Sequence, residues 1–157
     1  MTDEQLLLDV MLGKLATYLR FCGYDTLYAQ DVGIEADDAI KRRAESSGRA
    51  LVTRDRELAA RTDGALLLER RDVADQLAEL AAHGLSLDVP AEPRRCGVCN
   101  GRVRRLGDDD PRPEYAPDDI GHLWQCRDCE HHFWKGSHWE RMRDIVAAVG
   151  DPNHNSL

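Results

Sequence analysis

Leu6-Leu7-Leu8-Asp9 is the stretch on which the reading of this chain turns. Three leucines in a row leave no polar face, as expected of a strand buried on both sides within a parallel sheet. The aspartate that follows is costly to bury without a reason. Outward from this stretch, strand and helix patterns alternate. Leu12, Leu15, Ala16, Leu19 and Cys22 recur at helical spacing, and Gly23 offers a left-handed stop. Residues 26–29 read as a second strand. Asp37 is expected to cap a helix with Ile40 and Ala44 on its apolar side and Gly48 at its end. Residues 50–53 read as a third strand, a short helix starts at Arg56, residues 65–68 form a fourth strand, and a helix covers 73–83. Strands alternating with helices predict an α/β fold, a parallel sheet flanked by helices.

A second signal lies further on, in Cys96-Gly97-Val98-Cys99 and Cys126-Arg127-Asp128-Cys129. Two thiolates two residues apart can grip one side of a tetrahedral ion, and two such pairs complete an all-sulfur zinc site with no open position. The site is therefore expected to be structural. The 26 residues between Cys99 and Cys126 exceed the usual spacing, so the ribbon must carry an insert. Its polar, proline-containing part from Asp108 to Asp119 is expected to be a mobile loop. Strands are expected at 102–106 and on both sides of the second knuckle, and a closing helix at 139–149. The proline-containing stretch from Ser86 to Pro93 reads as a linker. This predicts two units, a sheet domain over 1–90 and a zinc ribbon with a C-terminal helix over 91–157. His131 and His132 could each replace a cysteine as ligand, but four thiolates already saturate zinc. Cys22 reads as a small buried hydrophobe.

At 157 residues with net charge −8, the chain is acidic. Residues 1–93 hold 11 Lys and Arg against 18 Asp and Glu, and residues 94–157 hold 10 against 11, so cationic groups gather around the knuckles. Strong negative charge tolerates concentrated salt, which predicts a halophilic setting. It also argues against a broad nucleic-acid surface, though not a local one. No apolar run reaches membrane-spanning length and the acidic N-terminus lacks a basic region, so a cytoplasmic protein with no membrane association is expected. Zinc-spaced thiols fit the same reducing compartment.

In an open parallel sheet, chemistry collects beyond the carboxyl ends of the strands. Asp9, Asp37 and Asp55 follow the first three strands and would meet at that edge, with Glu57 as a candidate fourth acid. Carboxylates gathered there resist joint ionisation unless a cation neutralises them. Hard oxygen ligands with room for water suit Mg²⁺ or Mn²⁺, the centre of phosphodiester hydrolysis. Helix capping offers an alternative account of Asp37 and of Asp55, but not of Asp9.

The segments Leu8-Asp9-Val10-Met11-Leu12-Gly13-Lys14-Leu15-Ala16, Phe21-Cys22-Gly23-Tyr24-Asp25-Thr26, Leu51-Val52-Thr53-Arg54-Asp55-Arg56-Glu57-Leu58 and Phe133-Trp134-Lys135-Gly136-Ser137-His138-Trp139-Glu140-Arg141-Met142 resemble, in that order, the Mut-7 C-terminal RNase domain family. The resemblance runs from Leu6 to about Val149. It implies a PIN-like nuclease domain followed by a zinc ribbon, and RNA as substrate. It places metal-binding carboxylates at Asp9, Asp37 and Asp55, with Glu57 at a further acidic position. It also implies hydrolysis that leaves 3′-hydroxyl and 5′-phosphate ends. Val10 departs from the small residue expected after the first aspartate.

Lys14, Arg54 and Arg56 lie near the acidic edge and are candidates for holding substrate phosphate, against simple solvation. Arginines around the first knuckle could grip phosphates or pair with Asp108 to Asp110. Trp124, Phe133, Trp134 and Trp139 could stack on bases, although a small ribbon also needs aromatics to seal its core. Trp139 and the neighbouring His138 are the candidates for substrate contact. Two functions compete. One is a metal-dependent endoribonuclease, and the other is a noncatalytic RNA- or ribosome-associated binding protein that keeps the fold. A homo-oligomer is compatible with either.

Overall fold

The computed structural model describes residues 4–150. Residues 1–3 and 151–157, which the two expected units include at their outer ends, lie outside the described residues. Strands β1 (Leu6–Leu8), β2 (Thr26–Tyr28), β3 (Ala50–Thr53) and β4 (Leu66–Leu67) form one sheet in the order β2-β1-β3-β4. Every pairing in it is parallel. Helices α1 (Gly13–Phe21), α2 (Asp37–Ser47), α3 (Arg56–Arg61) and α4 (Val73–Ala82) follow the successive strands. The fold class is therefore the expected one.

The triple leucine explains the layering. Leu6, Leu7 and Leu8 are all fully buried, with Leu6 and Leu8 on one face and Leu7 on the other. The first face packs on Leu15, Ala16 and Leu19 of α1 and on Leu77 and Leu80 of α4. Leu7 and Leu51 meet Ile40, Ala44 and Leu58 from α2 and α3. Removing a side chain from either layer by a Leu→Ala change would cost about 2–5 kcal/mol. α1 ends as Gly23 predicts. With Gly23 at φ 93°, its N–H donates to Arg20 O at 2.9 Å and the Tyr24 N–H to Leu19 O at 3.0 Å. These are the two closing bonds of a left-handed cap.

One boundary differs from expectation. The cap of α2 is Ala36, in extended conformation and without a side-chain bond, while Asp37 is already helical. Asp37 and Asp38 occupy the first turn, where negative charge suits the positive end of the helix. Capping therefore does not account for Asp37.

A second, antiparallel sheet holds β5 (Val103–Arg105), β6 (Trp124–Cys126) and β7 (His132–Phe133) in that order. The insert is irregular but anchored. Asp110 accepts from the Gly107 N–H at 2.7 Å and pairs with Arg104 at 3.4 Å, while Ala116 is buried. The last helix, α5 (Ser137–Gly150), returns to the first sheet. Its Met142, Val146 and Val149 join the core formed by α1 and α4. No helix among the described residues is long and apolar enough to cross a membrane.

Candidate functional site

Because the sheet is parallel, β1, β2 and β3 deliver their carboxyl ends to one edge. Asp9 stands directly beyond β1, where its backbone N–H donates to Val52 O at 3.0 Å and continues the ladder to β3. That register sets Asp9 opposite Thr53. The Thr53 hydroxyl, fully buried, donates to Asp9 Oδ2 at 2.6 Å and accepts from the Asp55 N–H at 3.0 Å. Asp9 Oδ1 accepts from the Val10 N–H at 2.7 Å. Thr53 thus ties the two acids together, a role that no pattern in the sequence signals.

Asp9 is only 9% exposed, and no ion pair among the described residues involves it. A carboxylate in that position is stabilised by two hydrogen bonds, with lone pairs left on both oxygens. Asp55 caps α3, its Oδ1 accepting from the Glu57 and Leu58 N–H groups at 3.0 and 3.1 Å. Capping engages one oxygen of Asp55 and leaves the other for a further partner. Asp37 and Glu57 stand in the first turns of α2 and α3. The hydrogen bond from Arg61 to Asp38 raises its pKa, with further contributions from the charges of Asp38, Asp37 and Glu57. That arginine and Asp38 are both exposed to solvent.

The turn after Asp9 has an unusual feature. The Leu12 N–H donates to Asp9 O at 3.3 Å, and Met11 within the turn adopts φ 77° while 85% exposed. A non-glycine residue in that region is strained, and such strain concentrates at functional sites.

Of the candidate cations, Lys14 lies exposed in the first turn of α1, and Arg54 lies exposed just beyond β3. Arg56 points instead to Glu69, at 2.9 Å. His138 is exposed and Trp139 half-buried at the start of α5, and both line a cleft beside α1 rather than the acidic edge itself.

The four cysteines form the tighter constellation. Their sulfurs all lie within 4.8 Å of one another. Cys96 to Cys129 is 3.7 Å and Cys99 to Cys126 is 3.5 Å. A tetrahedron with Zn–S of about 2.3 Å requires sulfurs roughly 3.8 Å apart, so these cysteines could hold a metal such as zinc. The two knuckles repeat one construction. Cys96 N–H donates to Gly101 O and Asn100 N–H to Cys96 O, at 2.8 and 2.9 Å. Cys126 N–H donates to His131 O and Glu130 N–H to Cys126 O, at 2.9 and 3.2 Å. Backbone N–H groups of Val98, Gly101, Asp128 and Cys129 point at the sulfurs from 3.3 to 3.4 Å, which favours thiolates. A Cβ on Gly101 would come within 2.8 Å of Cys126 Sγ, so the cradle admits only glycine there. Burial pushes the Cys96 and Cys99 thiols up, and a bound cation would reverse that preference.

Among the described residues, these cysteines are the one set of three or more potential ligands whose donor atoms close to that distance. No trio of acids among them does so.

The first knuckle is docked on the sheet domain by residues that sequence reasoning passes over. Arg20, buried in α1, donates to Gly97 O at 3.1 Å and to Thr26 O at 2.9 Å. Asn100 accepts from the Thr26 N–H at 2.8 Å and donates to Asp25 Oδ1 at 2.7 Å. Two signals could have found them, an arginine in the last turn of an apolar helix and an asparagine directly after a knuckle cysteine.

Comparison with curated proteins and with solved structures gives no match. A family profile, described as the Mut7-C RNAse domain, matches residues 4–146. That span holds both the acidic sheet edge and the four cysteines, and the chain belongs to the Mut7-C RNAse domain family.

Proposed function

We propose that the protein is a metal-dependent ribonuclease in which Asp9, Asp37 and Asp55, with Glu57 nearby, hold Mg²⁺ or Mn²⁺. One observation carries this reading. Asp9 is a nearly buried carboxylate at the carboxyl end of a central parallel strand, joined through Thr53 to Asp55 and without a cationic partner among the described residues. A divalent cation bound there would supply an activated water and offset charge growing on a phosphodiester. The chain's own part is positional. Thr53 fixes the orientation of Asp9, the cap on α3 fixes Asp55, and Lys14 and Arg54 stand exposed where substrate phosphates would arrive.

The four cysteines would hold a structural zinc, and the ribbon would help to bind RNA. The division into a sheet domain over 1–90 and a ribbon over 91–157 is one of chemistry, acids in the first and thiolates in the second. Reduced zinc thiolates fit a cytoplasmic setting, and the net charge of −8 fits a halophilic one.

The test is cleavage of a mixed RNA pool by zinc-loaded protein, with and without Mn²⁺, beside Asp9→Asn. Asparagine can still accept from the Val10 N–H and can donate to Thr53, so the variant is expected to fold and to lose cleavage. Equal cleavage by both proteins rejects the proposal. RNA affinity without any cleavage would instead favour the noncatalytic binding protein.

A further inference from the structure

A cleft of about 690 Å³ lies between α1, the stretch 89–95, the first knuckle and residues 131–139. Three of its properties point to one occupant. The first is charge. In a chain of net charge −8, the lining carries three arginines against a single acid, Asp31, together with three histidines that offer ring nitrogens for hydrogen bonds. That acid is engaged by Arg20 at 3.4 Å. Arg20 and Arg95 also donate to knuckle carbonyls, at 3.1 and 3.2 Å, and Arg95 pairs with Asp25 at 3.7 Å, so these two build the wall and do not grip a ligand directly.

The second property is aromatic surface. Trp124 is sealed in the ribbon core at 3% exposure, but Tyr28, Phe133, Trp134 and Trp139 remain half-buried along the cleft. Trp134 continues outward into Tyr115, 66% exposed, whose ring centroid is 6.0 Å away. Flat faces on a cationic wall suit unpaired bases, because every base offers a π-face.

The third is position. Gly13 lines the cleft, and a Cβ there would stand 3.2 Å from the Tyr28 ring. Tyr28 ends β2 at the same sheet edge as Asp9. The cleft therefore reaches the carboxyl end of β2, which pairs with the end of β1 just before Asp9. Its volume falls within the range of about 300–1,000 Å³ that houses small ligands, which suits a few unpaired nucleotides.

We infer that this cleft holds a single-stranded segment of RNA running from the acidic edge to the ribbon. Its bases lie against Tyr28 and Trp134, and its phosphates face His138 and the arginine-bearing wall. The inference rests on the RNA reading above, but it does not require that the bound strand be cut.

The test uses full-length, zinc-loaded Asp9→Asn protein, so that binding is measured without cleavage. Fluorescence anisotropy at one fixed salt concentration compares a labelled RNA of about 12 nucleotides, long enough to fill one such groove, unpaired or annealed to its complement. The single strand should bind at least about tenfold more tightly than the duplex. Adding Trp134→Ala should weaken it about tenfold or more, and His138→Ala, on an exposed residue, a few-fold. Adding Arg42→Ala, exposed on α2 away from the cleft, should change nothing. Equal affinity for duplex and single strand overturns the inference. So does a folded, zinc-bearing Trp134→Ala protein with undiminished affinity, or binding to neither RNA. Should wild-type protein with Mn²⁺ cut no RNA and yet show the Trp134-dependent preference, the nuclease reading fails and the cleft stands. Cleavage accompanied by Trp134-independent binding leaves the nuclease reading intact and overturns the cleft.

Discussion

Thr53 shows how much can depend on one hydroxyl. It donates to Asp9 and accepts from the Asp55 backbone, in a position fully closed to water. Thr53→Val keeps the shape and removes both bonds, leaving a buried carboxylate oxygen and an N–H short of partners. The expected cost is about 1–3 kcal/mol of stability, read from urea denaturation, together with a large fall in RNA cleavage. Thr53→Ser should restore most of both. A valine variant as stable as its parent would contradict the role given to this hydroxyl. At this scale the sequence is unevenly legible. Asp9 stands out because a charge after three leucines is costly, and the cysteines because their spacing is itself the ligand geometry. Thr53 does not stand out, since threonine is common in strands and its partner depends on the pairing of Leu8 with Val52. Gly101 is equally silent, yet Gly101→Ala should weaken metal binding about tenfold or more, because the added carbon meets Cys126 Sγ.

Between elements, stability turns on the first knuckle. Arg20 and Asn100 fasten it to α1 and β2, so the metal site and the sheet share a boundary. Removing the metal with a chelator should lower the melting temperature of the whole chain in one transition. Two transitions, the later one unmoved, would show that the ribbon is merely appended. Asp25 belongs to the same junction. Burial would raise its pKa, but the hydrogen bond from Asn100 and the charge and bond of Arg49 outweigh that and hold it below the ordinary carboxylate value. A depressed pKa means stability that is present above the unfolded value of about 3.9 and lost as pH falls through the folded one. Asp25→Asn should therefore be less stable than wild type near neutral pH, and the gap in melting temperature should close as the medium is acidified below that unfolded value. A gap independent of pH would contradict this coupling. Several helix ends are readable from glycines in left-handed positions, such as Gly23 after α1 and Gly48 after α2. The start of α2 is not, because Ala36 and Asp37 can each occupy the cap and backbone geometry decides between them.

Over the whole molecule, the two sheets are joined by α5. Its Met142, Val146 and Val149 complete the core over α1 and α4, so the chain that follows the cysteines packs back on the first sheet's helices. Sequence periodicity locates this helix but cannot say which sheet it covers, since that depends on where the ribbon docks. The acidic excess acts at the same scale. Raising KCl from about 0.1 M to about 2 M should raise the melting temperature by screening self-repulsion; a flat or falling response would contradict the halophilic reading. The proposed chemistry depends above all on a divalent cation held at the acidic edge, which a Mn²⁺ titration of zinc-loaded protein followed by EPR would detect. Wild type would be compared with Asp9→Asn and with Asp55→Asn, whose asparagine still caps α3. Wild type should bind Mn²⁺, and each variant should bind it about tenfold or more weakly, with zinc content and melting unchanged. Equal uptake by all three proteins, or none by wild type, would show that no cation is held by these acids.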